Sequence, residues 1–103
     1  MMEEEQLFVA IGTKIKDAEQ GKLFGKPCFK INGKAFICFF NREMVFKLKD
    51  DWHKKALDLS GSQLFDPSGK KRPMKEWVQV SFKNHSHWES FSKAALKYVK
   101  ESA

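Results

Sequence analysis

Long apolar runs, cysteines and a targeting segment are the features that this sequence lacks. Its longest apolar run, Ala35–Phe40, has six residues, the length of a β-strand and far below the roughly 18–20 that a membrane span needs. Two cysteines are too few for a disulfide scaffold. Residues 1–5 are acidic and lack the basic region followed by an apolar one that marks a signal peptide. We therefore expect a soluble, cytoplasmic protein.

Apolar residues, by contrast, are plentiful. The 103 residues are 42% hydrophobic and 14% aromatic, with ten phenylalanines. Such a chain can bury a core, so we do not expect intrinsic disorder. No internal repeat or low-complexity linker divides the sequence. It predicts a single domain over residues 1–103.

Positive charge is concentrated in one segment. Nineteen basic residues against thirteen acidic ones give a net charge of +6, and the segment 21–49 alone has seven basic residues against one glutamate. A segment of this kind suits a polyanion or an acidic partner. The same lysines would also keep a phenylalanine-rich sheet soluble, so the charge leaves both interpretations open.

Three segments have apolar residues at helical spacing. Residues 3–18 predict a first helix, whose three leading glutamates suit the helix dipole. Residues 51–59 predict a short second helix with Trp52 turned inward. Ser86, with a glutamate three residues later, forms a capping box that predicts the start of a last helix. The buried stripe of that helix includes Trp88.

The Asn32-Gly33 dipeptide predicts the first hairpin turn, because both residues tolerate the positive φ angles of a two-residue type I′ turn. This turn fixes a register in which Phe29 faces Phe36. The same register sets Cys28 opposite Ile37, so Cys28 and Cys38 would point to opposite faces of the sheet.

A second hairpin follows the first. Its second strand alternates, with Met44 and Phe46 on one side. A three-residue loop, 41–43, brings these side chains to the same face as Phe36 and Cys38, and a slip of one residue would turn the strand over. The sequence therefore predicts the three-residue loop. The predicted core face of the first two strands holds Pro27, Phe29, Ile31, Phe36, Cys38 and Phe40.

Two further strand candidates, 63–66 and 75–80, follow the second helix. The predicted element order is α-β-β-β-α-β-β-α. Hairpin connections imply an antiparallel sheet, and the helices pack on one face of it, which gives an α+β two-layer sandwich. Whether Trp77, in the last strand, is core or surface is left open by its neighbours.

Four short motifs follow one another along the chain: Leu23-Phe24-Gly25, Asn32–Phe36, Val45–Leu48 and Gly69–Val78. Through these motifs the chain resembles the N-terminal domain of the TfoX/Sxy family over residues 5–100. Their order and spacing carry the resemblance together, since each motif alone is weak.

The resemblance implies a stand-alone domain of this type, without the second, helical domain of the full-length proteins that regulate competence genes. It implies the same fold as the residue pattern and a role in interaction or transcription regulation. It brings no catalytic residues with it.

The sequence predicts no enzyme, metal site or cofactor. Cys28 and Cys38 cannot meet if they point to opposite faces. His53, His85 and His87 have no further ligands at suitable spacing for a metal. No nucleophile elbow or phosphate-binding loop is present.

The face of the sheet away from the helices is the most informative feature. An uncovered face is ordinarily polar throughout, whereas here an apolar centre is ringed by lysines, as in a binding surface. The predicted partner-binding residues are Cys28, Ala35, Ile37, Phe39 and Val45. The candidate phosphate contacts are Lys26, Lys30, Lys47 and Lys49 on the sheet, and Lys70, Lys71 and Arg72 in a turn.

These residues predict a non-enzymatic interaction domain that forms a homodimer or binds another protein through the sheet. The alternative is weak, non-specific nucleic-acid binding by the lysines. We expect no contact with a membrane.

Overall fold

The structure, a computed structural model, describes residues 2–67 and 73–101. Its elements in chain order are α1 (Glu3–Lys14), β1 (Glu19–Leu23), β2 (Lys26–Ile31), β3 (Lys34–Phe40), β4 (Glu43–Lys47), α2 (Asp50–Asp58), β5 (Gln63–Phe65), β6 (Met74–Val80), a 3₁₀ helix (Phe82–His87) and α3 (Trp88–Glu101).

The strands form one antiparallel sheet in the order β1-β2-β3-β4-β6-β5. All three helices contribute to the apolar cluster on one side of this sheet, which we call the helix-side core. The predicted α+β class, the antiparallel sheet and the order of the helices are confirmed. The structure adds β1, a short edge strand, to the three strands expected within residues 22–49.

The first hairpin turn is as predicted, but the register changes along β3. Asn32 and Gly33 have φ angles of 53° and 79°, and Ile31 pairs with Lys34. A β-bulge then inserts Phe36 as an extra residue, so that Phe29 pairs with Ile37 rather than with Phe36. Beyond the bulge the predicted register is wrong by one residue.

The predicted three-residue loop after β3 is also wrong. The turn has two residues, Asn41 and Arg42, with φ angles of 53° and 65°, and Phe40 pairs with Glu43. The bulge explains the difference, because it advances the alternation of β3 by one residue. Ile37 and Phe39 then face the helices, and only the two-residue turn brings Phe46 opposite Ile37.

Aromatic rings fill the helix-side core where α1 crosses the sheet. The ring centroid of Phe8 lies 5.2 Å from that of Phe29 and 5.4 Å from that of Phe39. Gly12 allows this close approach of α1, since a Cβ at that position would lie 2.1 Å from the ring of Phe29. Trp88 is fully buried in the same core, as predicted.

Candidate binding surfaces

The sheet face away from the helices has an apolar cluster of its own, which we call the second cluster. Its buried members are Cys28, Cys38, Val45, Phe65 and Trp77, and Leu23, Ala35, Phe40 and Met74 pack around them in partly exposed positions. The sequence left the place of Trp77 open, and the structure buries it here with 5% of its surface exposed. This face is therefore largely closed.

The predicted partner-binding face needs correction in two respects. Ile37 and Phe39 lie in the helix-side core, because of the bulge in β3. Cys28 and Val45 do lie on the expected face but have no exposed surface. Of the five predicted residues only Ala35 is both on this face and partly exposed.

Aromatic side chains close the second cluster. The ring of Phe65, from β5, lies 5.2 Å from that of Phe40 and 6.4 Å from that of Trp77. The Nζ atom of Lys26 lies 5.3 Å from the centroid of the Phe40 ring. Residues from four strands thus shield what the sequence suggested was an open apolar centre.

Cys28 and Cys38 are direct cross-strand partners and point to the same face, so their predicted separation is wrong. Both thiols are free and fully buried. Burial raises the pKa of Cys28 above its ordinary 9.0, and the charge of Lys30 opposes this rise. Burial raises the pKa of Cys38 as well, and so does the hydrogen bond that its thiol donates to Cys28. Neutral, buried thiols are poor nucleophiles and poor metal ligands.

The predicted phosphate contacts are divided by the fold. Lys26, Lys30 and Lys47 lie on the face of the second cluster, where Lys26 pairs with Leu23 of β1. Lys49 lies elsewhere, with its Nζ atom 5.0 Å from the ring centroid of Tyr98 in α3. Lys70, Lys71 and Arg72 lie outside the described residues.

Each histidine has a partner within the fold. The imidazole Nε2–H of His53 donates to the carbonyl of Lys75 at 2.7 Å. His85 donates from Nδ1 to the carbonyl of Phe82 and stacks on the Phe82 ring. His87 stacks against Phe91. Within residues 2–67 and 73–101, no three His, Cys, Asp or Glu side chains are grouped so that they could hold a metal ion.

Within the part of the chain that the structure describes, the exposed large aromatic side chains are Phe24 and Trp52, and the sequence predicted neither of them as a site. Phe24, at the tip of the β1–β2 hairpin, is 58% exposed. Trp52, predicted to face inward from α2, is 42% exposed, and its ring centroid lies 6.0 Å from that of Phe91. Large exposed aromatics are common at binding surfaces.

No family model, curated protein or solved structure matches this chain. The resemblance to TfoX N-terminal domains therefore remains a prediction. Among the helices of the described residues, none has the length and apolarity to cross a membrane.

Proposed function

We propose that this chain is a non-enzymatic interaction domain of TfoX N-terminal type that associates with a second copy of itself through the free edge of β1. The observation that carries the proposal is Phe24, an exposed aromatic side chain held in a strained backbone conformation beside that edge.

Phe24 occupies a turn position that disfavours a bulky side chain, and 58% of its surface is exposed. Phe24 and Gly25 form a two-residue turn with φ angles of 52° and 76°. The two corresponding turns of this sheet have asparagine in the first position, at Asn32 and Asn41. Asparagine tolerates positive φ, whereas a bulky side chain there costs roughly 1–2 kcal/mol. A contact outside the monomer would explain why phenylalanine occupies this turn.

The free edge of β1 is suited to strand addition. β1 forms five regular pairs with β2, without a bulge or a proline. The opposite edge strand, β5, has only three residues and an irregular register. Unpaired N–H and C=O groups along a regular edge are a template for another strand.

Symmetric pairing of two β1 strands also keeps like charges apart. If two copies pair antiparallel about Gly21, Glu19 of one copy faces Leu23 of the other and Gln20 faces Lys22. No like charges are then directly opposed. One residue further along, Phe24 comes level with Ala18 of the other copy. Burial of a phenylalanine ring contributes roughly 1.5–3 kcal/mol.

The test is Phe24→Asn, which suits the turn and removes the ring. We expect the wild type to sediment as a dimer at high concentration and the variant as a monomer. At low concentration, where dimers do not contribute, the variant should be the more stable protein by about 1 kcal/mol.

Trp52→Ala is the matched control, since it removes another exposed aromatic side chain, on the helix layer, and should leave the dimer intact. A wild type that is monomeric at millimolar concentration would contradict the proposal. So would a Phe24→Asn variant that dimerises as tightly as the wild type.

The alternative function is nucleic-acid binding by the sheet. Of the lysines predicted to contact phosphates, three share one face of the sheet: Lys26, Lys30 and Lys47. Their partly exposed aromatic neighbour is Phe40, which is already in contact with Lys26. Stacking surface for bases is therefore scarce on this side of the molecule, and the alternative is the weaker candidate there.

A further inference from the structure

A groove between α2 and α3 surrounds the exposed side chain of Trp52. Three adjoining hollows, with volumes of about 280, 420 and 360 Å³, all have Trp52 in their walls. They continue along α3 from Ser90 to Glu101, a distance of about 16 Å at 1.5 Å per residue. Each hollow is at the small end of ligand-binding sites. The groove thus offers a row of small sites rather than one deep pocket.

Lysines line this groove on both sides. Lys49 and Lys55 come from the α2 side, and Lys93 and Lys97 come from α3. Glu101 is the acidic residue in the walls of these hollows. Lys93 has an exposed partner in Glu89, at 3.7 Å. Within the described part of the chain, the other three lysines form no ion pair. The walls are therefore complementary to an anion.

Two of these lysines sit on aromatic rings. The Nζ atom of Lys55 lies 5.0 Å from the ring centroid of Trp52, and that of Lys49 lies 5.0 Å from the ring centroid of Tyr98. Tyr98 is held in place by the hydrogen bond that its hydroxyl donates to Glu76. Long lysine side chains can swing away from a ring to meet a phosphate and leave the ring face to a base. Aromatic rings and cations thus lie next to each other within the groove.

This combination of aromatic rings and cations favours one class of ligand. An acidic peptide would satisfy the lysines but would leave the ring faces unused. A duplex conceals the faces of its bases, whereas a single strand presents planar bases and phosphates in turn. We infer that the α2–α3 groove binds single-stranded nucleic acid, with a base stacked on Trp52 and phosphates held by Lys55, Lys93 and Lys97.

The experiment measures binding of a fluorescein-labelled oligothymidylate to the full chain by anisotropy at low salt. Stacking on Trp52 predicts that Trp52→Ala weakens binding about 5- to 150-fold. Trp52→Phe should restore part of the affinity, since it keeps a stacking face. Lys97→Ala should reduce the dependence of log affinity on log salt by about 0.7 if it neutralises one phosphate of a single strand.

Intrinsic fluorescence supplies a second readout. Trp77 and Trp88 are buried, so quenching by the oligonucleotide should come from Trp52 and disappear in Trp52→Phe. Because Trp52 is partly exposed, both variants should fold, which their melting curves will show.

Three results would overturn this inference. One is the absence of binding at millimolar protein and low salt. Another is binding that Trp52→Ala leaves unchanged and a Lys26→Ala, Lys30→Ala double variant removes, which would place the ligand on the sheet. The third is a Trp52-dependent preference for polyglutamate over the oligonucleotide. Phe24→Asn should keep oligonucleotide binding, so the groove and the β1 edge are tested separately.

Discussion

At the scale of single residues, Cys28 and Cys38 show how burial sets the chemistry of a side chain. In solvent, two adjacent thiols would be candidates for oxidation or metal binding. Here both are enclosed beneath the aromatic side chains of the second cluster, and burial raises the pKa of each. They act as small apolar residues of the sheet.

This raised pKa has a consequence for stability. The folded state retains the thiol proton above pH 9.0, the ordinary pKa, while the unfolded state loses it. The contribution of the Cys38 thiol is therefore fully present below that pH and falls as pH rises, by up to about 1.4 kcal/mol per pH unit. The raised pKa of Cys28 adds a fall in the same direction. Urea unfolding from pH 7 to pH 10.5 should show this fall.

Cys38→Ala is the control for the pH effect. It should lower stability at neutral pH, because it removes buried volume, but its stability should fall less steeply above pH 9.0. If the free energy of unfolding fell equally steeply with pH in Cys38→Ala and in the wild type, the fall would not come from the Cys38 thiol.

At the scale of elements, the packing of α1 depends on Gly12. Alanine within a helix is ordinarily about 1 kcal/mol more favourable than glycine. A Cβ at position 12, however, would lie 2.1 Å from the buried ring of Phe29, and overpacking of this kind costs about 1–3 kcal/mol. Because 2.1 Å is far inside van der Waals contact, the cost lies in the upper part of that range. We therefore expect a net destabilisation of about 1–2 kcal/mol for Gly12→Ala in urea unfolding.

Thr13→Ala, one residue along the same helix, is the matched control. Thr13 is exposed, so the substitution improves helix propensity without a clash and should leave stability unchanged or slightly higher. If Gly12→Ala were as stable as Thr13→Ala, this would contradict the close packing of α1 against Phe29.

The sequence predicted the elements better than their register. The Asn32-Gly33 turn was predictable because its chemistry requires positive φ. The bulge in β3 was not, since Ala35–Phe40 is apolar throughout and either alternation buries apolar side chains. Because of this ambiguity, Ile37 and Phe39 were predicted on the wrong face of the sheet, and the predicted partner-binding site was wrong in the same way.

The sequence did not predict β1, for a different reason. Its residues Glu19–Lys22 are polar or glycine, with no alternation, and the turn that follows it begins with Phe24, a residue type that is unusual in such turns. Phe24, which made the strand hard to predict, is also the residue that supports the proposed self-association through the edge of β1. The exposure of Trp52 depends on how α2 lies against α3, which the periodicity of one helix cannot give.

At the scale of the whole molecule, the net charge of +6 opposes self-association through β1 and favours oligonucleotide binding in the α2–α3 groove. Two copies of a cationic chain repel each other, so added salt should strengthen self-association. Phosphate contacts release counterions, so the same salt should weaken oligonucleotide binding. Sedimentation and anisotropy between about 50 and 300 mM salt should therefore change in opposite directions. Parallel changes would contradict this separation.

The most direct test of self-association through β1 is amide hydrogen exchange at low and high protein concentration. We expect the protection of residues 19–23 to increase with concentration, while the opposite edge, Gln63–Phe65, remains unchanged. Phe24→Asn should abolish the increase. Exchange in β1 that is equally fast at both concentrations, in a sample that sediments as a dimer, would place the interface elsewhere and contradict the account.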